Sequence, residues 1–157
     1  MSAKNLKITS TSAEHTASLA ALLAPALSAG DVILLHGDVG AGKTHFARTL
    51  IQSILGFAED VPSPTFTLVQ TYPASACDIW HADLYRLTSV QEVEELGLTD
   101  AFETDICLVE WPDRLGDLMP EHALNLVFET GTADDTRQIS VAWTDTKWDG
   151  KISRWKT

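Results

Sequence analysis

An α/β fold with a mixed, partly antiparallel sheet flanked by helices is predicted by three observations. Residues 32–36, Val-Ile-Leu-Leu-His, open on an apolar run without alternation, the pattern of a strand buried on both faces. After Gly42, the apolar residues Phe46, Ala47, Leu50, Ile51, Ile54 and Leu55 recur at helical period, and Gly56 supplies a stop. Near the end of the chain, residues 123–129 and 138–143 read as extended stretches around Gly131-Thr-Ala-Asp-Asp-Thr136, a hairpin loop.

The remaining elements follow in order. Residues 6–9 form a short strand. Thr11-Ser-Ala-Glu14 is a capping box that opens a helix carrying Leu19, Leu22, Leu23, Ala26 and Leu27, ended by Gly30. Residues 67–72 and 76–84 are strands around a turn at Pro73, and residues 90–96 a short acidic helix. Ile106-Cys-Leu-Val109 is a further buried strand, broken by Pro112. With no internal repeat and no Pro/Gly/Ser linker long enough to separate two units, residues 1–157 are expected to form a single domain.

Eleven Lys and Arg stand against 22 Asp and Glu in 157 residues, a net charge of −11. Nucleic-acid affinity comes largely from cations that displace counterions from phosphates, so this balance argues against a chain that grips nucleic acid by itself. The charge is uneven: residues 147–157 sum to +3 and the other 146 to −14. Any basic contact surface is therefore expected in that C-terminal tail; Trp148 and Trp155, interleaved with its cations, read first as a terminus partly docked on the body, with an interaction tail as the alternative. No apolar run approaches the roughly 20 residues that span a bilayer, and residues 1–5 lack the apolar stretch of a secretion leader, so a cytoplasmic location is expected. Cys77 and Cys107 form no CxxC pair and read as buried free thiols.

Gly37-Asp38-Val39-Gly40-Ala41-Gly42-Lys43-Thr44 matches GxxxxGKT, and it stands between a buried strand and an amphipathic helix, where the mechanism needs it. Glycines let the backbone curl so that successive N–H groups face phosphate oxygens, and the helix N-terminus adds a favourable dipole. Lys43 can reach the β- and γ-phosphates, and the Thr44 hydroxyl can bind magnesium. That ion usually takes a carboxylate as well. Glu110 ends the strand at residues 106–109, from which it would face the loop; Asp83, in His81-Ala-Asp-Leu-Tyr-Arg86, is the rival and could instead orient an attacking water. Thr65, in Ser63-Pro-Thr-Phe-Thr67, stands where nucleotide switches often carry a γ-phosphate sensor, and an ordinary turn accounts for the bare pattern at least as well. The five histidines show no metal-ligand spacing, so each reads as structural or exposed.

Two other phosphate-loop classes compete. Asp113-Arg-Leu-Gly116 and Thr146-Lys-Trp-Asp149 imitate the DxxG and guanine-reading motifs of a nucleotide switch. They lie about thirty residues apart, too few for the strands and helices that fold places between them. A small-molecule kinase would share the loop, but the arginines stand singly at 48, 86, 114, 137 and 154, with no arginine-rich lid to gather the transferred charge.

Five motifs in one order, GDVGAGKT at 37–44, SPTFTL at 63–68, HADLYRL at 81–87, ELGL at 95–98 and VEWP at 109–112, resemble the bacterial TsaE (YjeE) ATPases over about residues 10–145. The resemblance implies a P-loop ATPase domain that binds ATP and Mg²⁺. It implies service in threonylcarbamoyl modification of a tRNA adenosine beside the anticodon, through TsaB- and TsaD-like partners, with tRNA engaged only indirectly. A nucleotide-gated binding module with incidental hydrolysis is the alternative. By motif, Lys43 and Thr44 look like phosphate and magnesium ligands, Glu110 like the second magnesium-site residue and Asp83 like the required acid. Thr65 looks like a switch residue and Trp111 like an aromatic near the nucleotide. His45 and Ala82 depart from the pattern, the first replacing a second threonine after GKT and the second a common aromatic.

Overall fold

Seven strands form one sheet in the order β1-β7-β6-β2-β5-β4-β3 in the computed structural model, which describes residues 3–38, 40–56, 60–64, 67–133 and 135–156. The strands are β1 (Lys4–Ser10), β2 (Val32–Gly37), β3 (Val69–Pro73), β4 (Asp78–Asp83), β5 (Ile106–Glu110), β6 (Leu124–Thr130) and β7 (Arg137–Trp143). The neighbours β6, β2, β5 and β4 run parallel, while β3 pairs antiparallel with β4 and both β1 and β6 pair antiparallel with β7. The predicted mixed α/β class is the observed one.

The central strands are apolar throughout because both faces are covered. Ile33, Leu35 and Leu108 pack under α1 (Ala13–Leu23) and α2 (Lys43–Leu55), against Leu19, Leu23, Phe46, Leu50 and Ile51. Val32, Leu34, Cys107 and Val109 face the other way, onto Val93 of α3 (Val90–Glu95) and Leu98, Ala101 and Phe102 of α4 (Leu98–Thr104). Each such large apolar side chain contributes about 1.5–3 kcal/mol by leaving water.

The local structure departs from expectation at identifiable residues. The N-cap of α1 is Ser12, whose hydroxyl accepts from the His15 N–H, rather than Thr11. The helix stops at Leu23 and tightens to a 3-10 turn at Ala24–Ala26, because Pro25 has no N–H to continue it. Leu27 therefore lies outside the helix. The unpredicted α4 does carry apolar residues at helical spacing, 98, 101 and 102, but at two turns it is below the length at which propensity alone makes a helix. After β5 the chain continues as a 3-10 segment, Pro112–Leu118.

The tail docks on the body. It forms α5 (Lys147–Lys151), where Trp148 is fully buried and donates from its indole to the His122 carbonyl; Trp155 is buried and donates to the Leu19 carbonyl. Lys147 and Lys151 close on the buried Asp31 at 3.0 and 2.5 Å, so two of the tail's four cations are neutralised internally. Asp149 binds Lys4 and the Trp143 indole. Asp31 precedes β2, whereas the glycine loop follows it, so Asp149 lies toward the opposite end of the parallel strands from the loop and cannot read a base there. This geometry removes the guanine-switch alternative.

Candidate functional site

In parallel sheets ligands gather at the carboxyl ends of the strands. Here three strand ends meet: β2 runs into the glycine loop, Leu35 of β2 pairs with Glu110 at the end of β5, and Glu110 pairs with Asp83 at the end of β4. Alternation along the strands puts His81, Asp83 and Glu110 on the face that carries α2. All three are buried.

The loop's backbone explains two of its glycines. Gly37 has φ +138°, and a Cβ there would come within 2.5 Å of the Phe128 carbonyl oxygen on β6. Gly42 precedes α2 at φ +106°, so the chain enters the helix from a left-handed conformation that opens its first N–H groups outward. The Lys43 side chain folds back to donate to the Gly37 carbonyl, and its ammonium sits 3.6 Å from the centre of the Trp111 ring. Burial pushes the Lys43 ammonium below the ordinary lysine value, against the pull of Glu110, Asp83, Asp38 and Asp113.

Thr44 donates its hydroxyl to Glu110 Oε1 at 2.8 Å, a contact across 66 residues of sequence. Glu110 Oε2 lies 2.7 Å from His81 Nε2. Asp83 Oδ1 accepts the Tyr85 N–H at 3.0 Å, which fixes the carboxylate at the strand end. Trp111 follows Glu110 directly and adopts φ +58°, a strained conformation for a bulky residue, which folds its ring over Lys43 and to within 4.8 Å of the Tyr85 ring.

Lys43, Thr44, Glu110, Asp83 and Trp111 are thus brought together, and Gly37, Asp38, Gly40, Ala41 and Gly42 form the loop around them. His45 turns away from this centre. It lines a cleft of about 350 Å³ beside the loop with Ala13, Thr16, Gly40, Thr44, Asp135 and Arg137, and its Nε2 meets the Ala13 carbonyl at 3.0 Å. Val39 and Thr65 lie outside the described residues.

Two participants escaped the motif reading. Arg137, at the start of β7, donates from Nε to the Ala41 carbonyl at 3.1 Å and from Nη2 to the Gly40 carbonyl at 3.4 Å. It braces the loop by donating to two of its carbonyls. Its only trace in the sequence is position, next to the hairpin loop. His81 belongs to the quoted HADLYRL motif, yet it was expected to be merely structural; the paired strands put it on Glu110.

The oxygen donors suit a magnesium ion. Thr44 Oγ1 and Glu110 Oε1 converge, both are hard oxygens, and among the described residues no lysine or arginine is ion-paired with Glu110. No group of three His, Cys, Asp or Glu side chains able to hold a metal alone occurs among the described residues. No helix among the described residues is long and apolar enough to cross a membrane.

The chain is similar to known proteins in sequence and in overall fold. The family described as "Threonylcarbamoyl adenosine biosynthesis protein TsaE" matches residues 10–139. Relatives named tRNA threonylcarbamoyladenosine biosynthesis protein TsaE include one from Rickettsia conorii, 46% identical over 69% of this chain and 62% of its own length. The relative from Bacillus subtilis is 37% identical over 87% and 85%, and that from Treponema pallidum 33% over 87% and 100%. The crystal structure of Bacillus subtilis YdiB superposes with a TM-score of 0.81 at 29% identity, covering 100% of this chain and 99% of that one. A phosphate loop between β2 and α2, three converging strand ends and a family match over most of the sequence lead to one assignment: the chain belongs to the TsaE family.

Proposed function

We propose that this protein is a magnesium-dependent ATPase subunit of tRNA threonylcarbamoyladenosine biosynthesis, acting through TsaB- and TsaD-like proteins rather than carrying out the transfer. The observation that carries the reading is the Thr44–Glu110 contact at 2.8 Å beside the glycine loop, because it joins a helix N-terminal hydroxyl and a strand-end carboxylate as one oxygen site. The adjoining cleft of about 350 Å³, bounded by Ala13, Thr16 and His45, offers room for the nucleoside end. The net charge of −11 supports engagement of tRNA through partners.

In this reading the loop N–H groups bind phosphate oxygens, and Lys43 leaves the Gly37 carbonyl for the β- and γ-phosphates. Thr44 and Glu110 would hold a magnesium ion, which would supply charge neutralisation on the phosphate oxygens. Asp83, at the strand end beside Glu110, orients the water that attacks the γ-phosphate in line in this reading, and Trp111 covers the lysine ammonium.

The test is ATP hydrolysis by the purified protein, alone and with TsaB- and TsaD-like proteins, with and without magnesium. Magnesium-dependent turnover that rises with the partners is expected. Lys43→Ala, which removes a charge-assisted contact worth about 1.5–3 kcal/mol, is expected to weaken ATP binding at least tenfold by calorimetry. Unchanged affinity, or phosphate transfer to an added metabolite in place of release, overturns the reading.

A further inference from the structure

Glu110 needs something to aim it. The last torsion of a glutamate is broad, so a lone carboxylate presents no fixed oxygen. In this protein its two oxygens are divided, Oε1 taking the Thr44 hydroxyl at 2.8 Å and Oε2 lying 2.7 Å from His81 Nε2. Since a carboxylate only accepts, Nε2 carries the hydrogen. His81 is completely buried on β4, and its other ring nitrogen, Nδ1, has no hydrogen-bond partner among the described residues.

That arrangement is costly as packing. A buried imidazole with one orphaned nitrogen is less favourable than an apolar side chain of similar volume, and a buried polar pair seldom outperforms a hydrophobic replacement. All of the ring's polar bonding is directed at Glu110. We propose that His81 is a positioning residue for the magnesium site, pinning Glu110 Oε2 so that Oε1 stays facing Thr44 and the ion held there. This rests on the site reading given above, and it assigns His81 a role that reaches the nucleotide only through the metal.

The experiment measures the affinity of a non-hydrolysable ATP analogue with a β,γ-imido bridge by calorimetry, once in excess EDTA and once in saturating magnesium. The ratio of the two dissociation constants is the coupling between metal and nucleotide. His81→Phe keeps the volume and removes the donor; His81→Gln keeps an N–H near the Nε2 position. Partners of a metal's ligands are typically worth 10–100-fold in metal affinity. The coupling ratio of His81→Phe is therefore expected to fall about tenfold or more while its affinity in EDTA stays at the wild-type value, and His81→Gln is expected to recover most of the ratio. Thermal melts of all three proteins accompany the titrations, and the His81→Gln result decides the matter if His81→Phe does not fold. A wild-type ratio in His81→Phe overturns the proposal alone, as does a His81→Gln protein that folds but recovers none of the coupling. Equal losses in EDTA and in magnesium also overturn it, because they mark a structural role. A wild-type protein without metal coupling overturns both the proposal and the site reading beneath it.

Discussion

Two buried carboxylates sit toward opposite ends of the parallel strands, and their surroundings differ in kind. Asp31, before β2, has two lysine ammoniums at 2.5 and 3.0 Å and accepts the Ser28 N–H at 2.9 Å. Glu110, at the end of β5, has a hydroxyl and an imidazole and, among the described residues, no lysine or arginine ion pair. The first charge is compensated within the fold. The second accepts from a hydroxyl and an imidazole and feels the Lys43 ammonium through space, without a direct ion pair to it among the described residues. Buried charges require compensation, and the contrast shows two ways of supplying it: direct ion pairs at Asp31, and hydrogen bonds with a through-space cation at Glu110.

The largest effects should come from removing each acid. Asp31→Ala strips the compensation from Lys147 and Lys151; a loss of about 3 kcal/mol is expected, the low end for a broken buried pair, since both lysines keep some solvent contact. Urea denaturation measures it. Glu110→Gln should leave stability within about 1 kcal/mol, because the amide oxygen can still accept a hydrogen bond there and no direct ion pair to a lysine or arginine is broken, while abolishing the gain in nucleotide affinity from magnesium. Equal destabilisation by the two substitutions would erase the distinction.

Arg137 comes next, since it reaches the site from the antiparallel half of the sheet. Arg137→Ala leaves the Gly40 and Ala41 carbonyls without their donor, at about 0.5–1.5 kcal/mol per hydrogen bond. A roughly three- to tenfold weaker binding of ATP, with melting close to wild type, is expected by calorimetry and thermal denaturation. Wild-type affinity would show that the loop needs no brace.

Trp111 gives the smallest effect, because strain and packing oppose each other there. Its φ of +58° costs a bulky residue about 1 kcal/mol or more, which glycine would not bear, but Trp111→Gly also strips the ring from Lys43 and Tyr85. The two contributions oppose each other, so the substitution is expected to change unfolding free energy by less than about 1 kcal/mol while lowering nucleotide affinity a few-fold. A large stability loss would make the ring a core element and not a cover for the lysine.

Much of this site is legible along the chain. The glycine loop is contiguous, and strand–loop–helix order follows from a switch in hydrophobic period, so Lys43 and Thr44 could be named without coordinates. Glu110 could be named because a carboxylate ending an apolar strand has few places to point. His81 could be quoted but not given its work, since its partner is 29 residues away and is met only when β4 and β5 align in register. Arg137 lies 96 residues from Ala41, and no local pattern connects them.

The sequence by itself determined the mixed α/β class, the phosphate loop and the acids around it, because these depend on periodicities and spacings that neighbouring residues impose. It left open whether the basic tail faces solvent or the body, and which polar groups complete the site. Only the tertiary structure decided those points: Asp31 draws the tail's lysines inward, and parallel pairing of β2, β5 and β4 brings Leu35, Glu110 and Asp83 to one level. The physical reason is that compensation of a buried charge is a property of whatever surrounds it in space, and the chain's order does not record that.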